Sequence, residues 1–159
     1  MEKILETRRR AIALGMEILK MFEGFRGIPY VCPGGYVTIG YGHRLQGGGL
    51  APKNIQKEEA EGLLYLDVLG TEGAVLRNID VPLEYWQMAA LISFTFNVGG
   101  AALQRSTLRQ KINACAQRHE IEQEFMRWVY CNAKKMRGLE ARRRIEAEVY
   151  LNSTTPIQQ

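Results

Sequence analysis

Apolar residues recur along the first part of the chain with the period of a helix: Ile12, Met16 and Leu19 fall at i, i+4 and i+7 and predict one amphipathic helix over Arg10–Phe22. Glu23 continues that stripe at i+11. A carboxylate closing a core-facing stripe is either a solvated helix end or a half-buried acid, and spacing alone leaves both open. From Gly24 to Gly49 the pattern turns glycine-rich, with period-two alternation at Val37, Ile39 and Tyr41. Pro33-Gly34-Gly35 is a turn signal, so Tyr30–Cys32 and Tyr36–Tyr41 are expected to pair as a hairpin. With those three residues as the loop, Cys32 lies opposite Tyr36, Val31 opposite Val37 and Tyr30 opposite Thr38. Parity then puts Val31, Val37, Ile39 and Tyr41 on one face, the expected core side, and Cys32, Tyr36, Thr38, Gly40 and Gly42 on the other. Cys32 and Thr38 become diagonal neighbours, roughly 7 to 8 Å apart at the backbone. A face with a thiol, a hydroxyl and two glycines is a poor core surface but suits the floor of a cleft, because glycines leave room for a ligand.

Beyond Pro52 the pattern becomes helical. Lys57–Leu69 reads as a helix that extends to Arg77 if Gly62, Gly70 and Gly73 are tolerated. Pro82 marks a helix start, and Leu83–Phe96 is apolar nearly throughout, which predicts the buried central helix of a helical lobe. Gly99-Gly100 ends it. Shorter helices are expected around Thr107–Asn113 and Ile121–Val129 and a last one over Leu139–Leu151, followed by a polar, frayed tail from Asn152 to Gln159. The expected class is α+β and mainly helical: one domain over 1–159, with a small antiparallel sheet lobe at about 24–66 and a helical lobe at about 80–151, joined by the first helix, around a cleft.

Composition narrows the function. A chain of 159 residues, 46% hydrophobic and 24% charged, suits one globular domain with its own core. A net charge of +4 favours encounter with a polyanion, nucleic acid or anionic cell wall, or belongs to an ordinary solvated surface. No helix-turn-helix or aromatic–basic module accompanies it, so no nucleic-acid partner is expected. Cys32, Cys115 and Cys131 form no CxxC pair, and with only His43 and His119 there is no zinc or haem spacing, so no metal is implied. The odd count points to reduced thiols in a cytoplasm, with Cys115 and Cys131 buried and inert in helical segments. Arg8, Arg9 and Arg10 precede an apolar stretch as in a signal peptide. Only Ala11–Met16 is uncharged before Glu17, short of the roughly 7 to 15 residues of a signal core and of any stable membrane insertion. The run Arg142-Arg143-Arg144 reads as a mixed helix face partly paired with Glu146 and Glu148, without a catalytic role.

Phe22-Glu23-Gly24-Phe25-Arg26 and Thr38-Ile39-Gly40-Tyr41-Gly42-His43 closely resemble the signature of the phage-type lysozymes, glycoside hydrolase family 24. Ala90–Asn113, Arg127–Tyr130 and Gly138–Glu148 resemble that family's helical-lobe motifs in the same order, so the likeness covers Ile12 to Leu151. It implies a lysozyme-like fold and an endolysin, a muramidase that cleaves the β-1,4 bond between N-acetylmuramic acid and N-acetylglucosamine in bacterial peptidoglycan and so lyses the host. It further implies a monomer without cofactor that waits in the host cytoplasm until a separate holin breaches the membrane. The family's catalytic pattern is a Glu, an Asp nine residues on and a Thr six residues after that. Glu23 takes the first place and Thr38 the last, while the middle place holds Cys32.

Glycoside cleavage needs an acid to protonate the leaving oxygen and a second group to attack the sugar or deprotonate a water. Glu23 would be the acid. Cys32 would serve as thiolate, either nucleophile or base, although an unperturbed thiol with pKa about 8.5 is only a few per cent ionised at pH 7. Thr38 would hold the water or the sugar, or else be an ordinary strand residue. By the same resemblance His43, Phe96 and Ser106 would bind substrate. A structural histidine, a core phenylalanine and a helix-capping serine are their ordinary roles. A peptidoglycan-binding homologue that lost catalysis with the aspartate is the alternative function.

Overall fold

The computed structural model describes residues 1–32, 34–46 and 53–152. Helix α1 spans Glu2–Glu23, eight residues earlier at its start than the apolar stripe predicts. Its first turns expose Ile4 and Leu5, and what holds them is polar: Arg8 grips the buried Glu72 with two nitrogens at 2.8 and 2.7 Å. Farther on, Ala11, Ile12, Gly15, Ile18 and Leu19 face the core. Gly15 lets α1 lie close to its neighbour, since a Cβ there would stand 3.2 Å from Ile92.

Helix α2 runs unbroken over Lys57–Asn78, opened by a capping box of Gln56 and Glu59. Its glycines 62 and 70 face open space, so their lost side chains remove no packing. The central helix α3 covers Tyr85–Val98, with Met88 to Thr95 all buried. It begins three residues beyond Pro82, because Glu84 and Gln87 supply the capping box. Gly99, at φ 91, ends α3, yet Gly100 at once starts a further short helix, α4 (Gly100–Arg105). The glycine pair is thus a bend between helices. Helices α5 (Thr107–Asn113), α6 (Arg118–Met126) and α7 (Arg137–Leu151) follow, and α7 packs against both α3 and α6. The expected tail beyond Asn152 lies outside the described residues.

Strands β1 (Arg26–Val31), β2 (Val37–Gly40) and β3 (His43–Arg44) form one antiparallel sheet in that order. Tyr30 pairs with Thr38 and Val31 with Val37, the register expected from the turn, although Pro33 itself lies outside the described residues. The expected faces need correction. Val31 and Val37 are 68% and 43% exposed, whereas Thr38, on the supposed cleft face, is buried together with Ile39 and Tyr41. Parity fixes which residues share a face but not which part of a strand the helices cover. Here α2 covers the base of β2 and leaves the hairpin tip in water.

A second hairpin, β4 (Tyr130–Cys131) with β5 (Lys134–Lys135), turns through Asn132 and Ala133 at φ 49 and 61. Cys131 is therefore an exposed strand residue, and Cys115 is exposed in a turn at φ 52. The expectation that both are buried in helices fails, because their segments leave the helical pattern at just these residues.

Candidate active site

Glu23 is the last residue of α1, and Gly24, at φ 66, turns the chain away so that the carboxyl stands at the junction of helix and sheet. Its side chain is 22% exposed, which answers the question left by the apolar stripe in favour of a half-buried acid. Oε1 accepts from Arg142 Nη1 at 2.7 Å. Oε2 faces Gly42, where a Cβ would stand only 3.2 Å away. Gly42 has φ 78 as well, so both space and backbone demand glycine there.

Gly42 begins a cleft of about 550 Å³ between the sheet and the helices. His43 and Arg44 of β3 line one side, Asp67 and Thr71 of α2 the floor, and Thr95 and Phe96 of α3 the other side. Asp67 accepts from His43 Nδ1 at 2.9 Å and fixes the imidazole at the rim. Thr95 is buried with a hydroxyl that has no partner among the described residues. His43 and Phe96 thus line one cleft, and Glu23 stands behind Gly42 at its end.

Thr38 and Cys32 sit on the hairpin beside it. The Thr38 hydroxyl donates to the Tyr30 carbonyl at 3.2 Å, which leaves its lone pairs as acceptors. Cys32 is a half-buried free thiol just past β1, its backbone held by Tyr36 and Gly35 at 2.9 and 2.8 Å. Ser106 does not join them. It caps α5, accepting from Arg109 N at 3.0 Å and donating to the Leu103 carbonyl at 2.7 Å, beside a separate depression next to Trp128. The capping role is the one the structure shows for it.

The arginine run of α7 pairs with Glu146 as expected, but it is not an open mixed face: Arg142 and Arg143 are buried, and only Arg144 is exposed. Arg142 donates to Glu23, to Glu146 Oε1 at 3.0 Å and to the Ser93 carbonyl at 2.9 Å. Arg143 holds Asn97 and the other oxygen of Glu146, and lies 4.9 Å over the Phe94 ring. Burial pushes the Glu146 carboxyl up against the pull of both guanidiniums, and pushes Arg143 below the ordinary guanidinium range. The i, i+3 and i, i+4 spacing to Glu146 is visible in the sequence. What it does not reveal is that α7 turns this face onto α3. For Asp67 and Thr95 the sequence carries no signal.

Among the described residues no group of histidine, cysteine and carboxylate side chains is arranged to hold a metal ion. The phage lysozyme family model matches residues 20–146. The endolysin of Bacillus phage B103 is 38% identical over 140 residues, which cover 86% of this chain and 52% of that protein, so the chain spans about half the relative's length. Among solved structures, the endolysin from Escherichia coli O157:H7 phage FAHEc1 superposes with a TM-score of 0.78 at 35% identity, covering 91% of this chain and 94% of that one. The muramidase domain of SpmX from Asticaccaulis excentricus gives 0.76 at 31% identity, covering 86% and 94%. With its motifs in register, its helix–sheet cleft and a carboxyl poised at the junction, the chain belongs to the phage lysozyme family and is a glycoside hydrolase of the lysozyme type.

Proposed function

We propose that the protein is an endolysin that hydrolyses the β-1,4 bond between N-acetylmuramic acid and N-acetylglucosamine, with Glu23 as general acid. One observation carries this reading: a half-buried carboxyl has one oxygen committed to Arg142 and the other turned to the glycine floor at the cleft's end. Oε2 is then the oxygen that carries the proton to the leaving sugar oxygen. The carboxylate left behind has Arg142 at its other oxygen, so the charge formed in the step is met where it forms.

Cys32 supplies the second group. As thiolate it attacks the anomeric carbon while Glu23 protonates the departing oxygen. Water then displaces the thiolate, with the Glu23 carboxylate taking the water's proton. As base it takes a proton from a water that attacks directly. In either course Thr38, its own proton donated to Tyr30, accepts a hydrogen bond from the water or a sugar hydroxyl. Phe96 offers an apolar wall for a sugar ring, and His43 a donor held in place by Asp67.

Digestion of purified peptidoglycan tests the reading. New reducing ends on muramic acid are expected by mass spectrometry. Retention on the polymer without new ends would make the chain a binding homologue, and ends on glucosamine would move the cut to the other bond.

Release belongs to the same proposal. In this reading a separate holin-type partner provides the breach in the membrane. Cells expressing the protein are expected to stay intact until chloroform is added. Prompt lysis on expression alone would show another route to the wall.

A further inference from the structure

A general acid gripped by an arginine at 2.7 Å raises the question of what sets the aim and strength of that grip. The structure contains an answer. Arg142 does not give Glu23 its whole charge: its Nε is bound to Glu146 Oε1 at 3.0 Å, and that carboxyl has no exposed surface. Every contact of Glu146 is a donor, from Arg142, Arg143 and the Ser93 hydroxyl at 2.6 Å, which is the environment of a carboxylate, an acceptor only. The Ser93 carbonyl takes a further N–H of Arg142 at 2.9 Å, so the guanidinium is fixed in place before Glu23 is reached.

We propose that Glu146 is a positioning residue for the reaction: it aims Arg142 at Glu23 and divides that arginine's charge between the two carboxyls. This deepens the reading of Glu23 given above and rests on it. The other charged groups around Glu23 are committed elsewhere. Lys20 of α1 pairs with Glu17 and Glu61, and His43, next to Gly42, pairs with Asp67 of α2. On the sheet side the titratable groups are Cys32, Tyr41 against Phe25, Arg26 over the Tyr30 ring at 4.5 Å and Arg44 over the Tyr36 ring at 4.2 Å. Around Glu146 the charges are Arg142 and Arg143 of its own helix, and α3 contributes only the neutral Ser93.

The sign follows from the role. With Glu146 neutral, Arg142 is undivided and its hold on the Glu23 anion strengthens, so the acid gives up its proton at lower pH. The experiment is the pH profile of kcat/KM on peptidoglycan for the parent and Glu146→Gln, with thermal melting of each. The alkaline limb is expected to move acidward by about one pH unit, a tenfold lower rate above it, with a smaller effect below it. Glu146→Gln also leaves Arg143 buried without its carboxylate, which can prevent folding. Arg143→Met/Glu146→Gln removes both members of that pair and is expected to show a smaller move in the same direction. A limb that stays in place in the folded variant, with the rate lowered equally at all pH values, makes Glu146 merely structural and overturns the proposal. Carbon-13 titration of the Glu23 carboxyl reads the same displacement without activity. A parent that cuts no glycan therefore refutes the proposed function, whereas an unmoved Glu23 titration refutes this inference.

Discussion

Glu23→Gln abolishes lysis of permeabilised cells while the protein still folds. The amide keeps an oxygen for Arg142 Nη1 and nearly the same shape, so the contact at the end of α1 survives as a charged–neutral hydrogen bond. What it lacks is a proton that leaves and returns. General acid catalysis contributes about 100- to 10,000-fold in rate, and a drop within or beyond that range is expected. Stability changes little by comparison, because the lost charge pair lies partly in solvent and the hydrogen bond remains. Turbidity loss and release of soluble glycan report the first effect, and a thermal melt the second. A variant that melts like the parent and still lyses cells would remove Glu23 from the chemistry, leaving the cleft without an identified acid.

Spacing put Glu23 at the end of the apolar stripe and left its burial open, its role following from the resemblance of the motifs around it, and local pattern stops short elsewhere too. Hairpin register was legible because a three-residue turn and a period of two fix partners one by one, and Tyr30 does pair with Thr38. Helix extents were legible where apolar spacing or capping chemistry marks them: α5 starts at Thr107 because Ser106 caps it. The faces of the hairpin were not, since Val31 and Thr38 differ in burial by where α2 ends its cover rather than by anything in their own neighbourhood. The same limit hid Arg142 and Arg143. Three consecutive arginines read in sequence as a mixed face only partly paired with Glu146 and Glu148. Burying two of them requires Glu146 and Asn97 as partners and Ser93 of α3 as a fixed acceptor, a coincidence of two helices distant in the chain. Ser106 marks the converse, a residue whose motif position suggested the cleft while its own hydroxyl was already committed to a helix end.

Alkylation of Cys32 stops catalysis, and Cys32→Asp removes that sensitivity while keeping activity. The thiol is half-buried on the hairpin and shares a face with Thr38, partly open to a small reagent. A carboxymethyl group there blocks a nucleophile and a base alike. Because Cys115 and Cys131 are both exposed, iodoacetamide reacts at all three thiols, and inactivation of the parent alone would not name its cause. The measurement therefore uses a Cys115→Asn/Cys131→Ser background, with asparagine chosen to suit φ 52 at position 115, and peptide mapping to follow Cys32. In that background Cys32→Asp is expected to work as well as the parent, since a carboxylate is ionised at neutral pH without help from its surroundings. Cys32→Ala has neither nucleophile nor base and is expected to fall by about 100-fold or more. Equal rates for the aspartate variant and the parent would mean that the site needs an anion rather than sulfur. If the Cys32 thiol is fully alkylated and the glycan is cut at the parent's rate, Cys32 is a bystander. The attacking water must then be held by Thr38 and Glu23 alone.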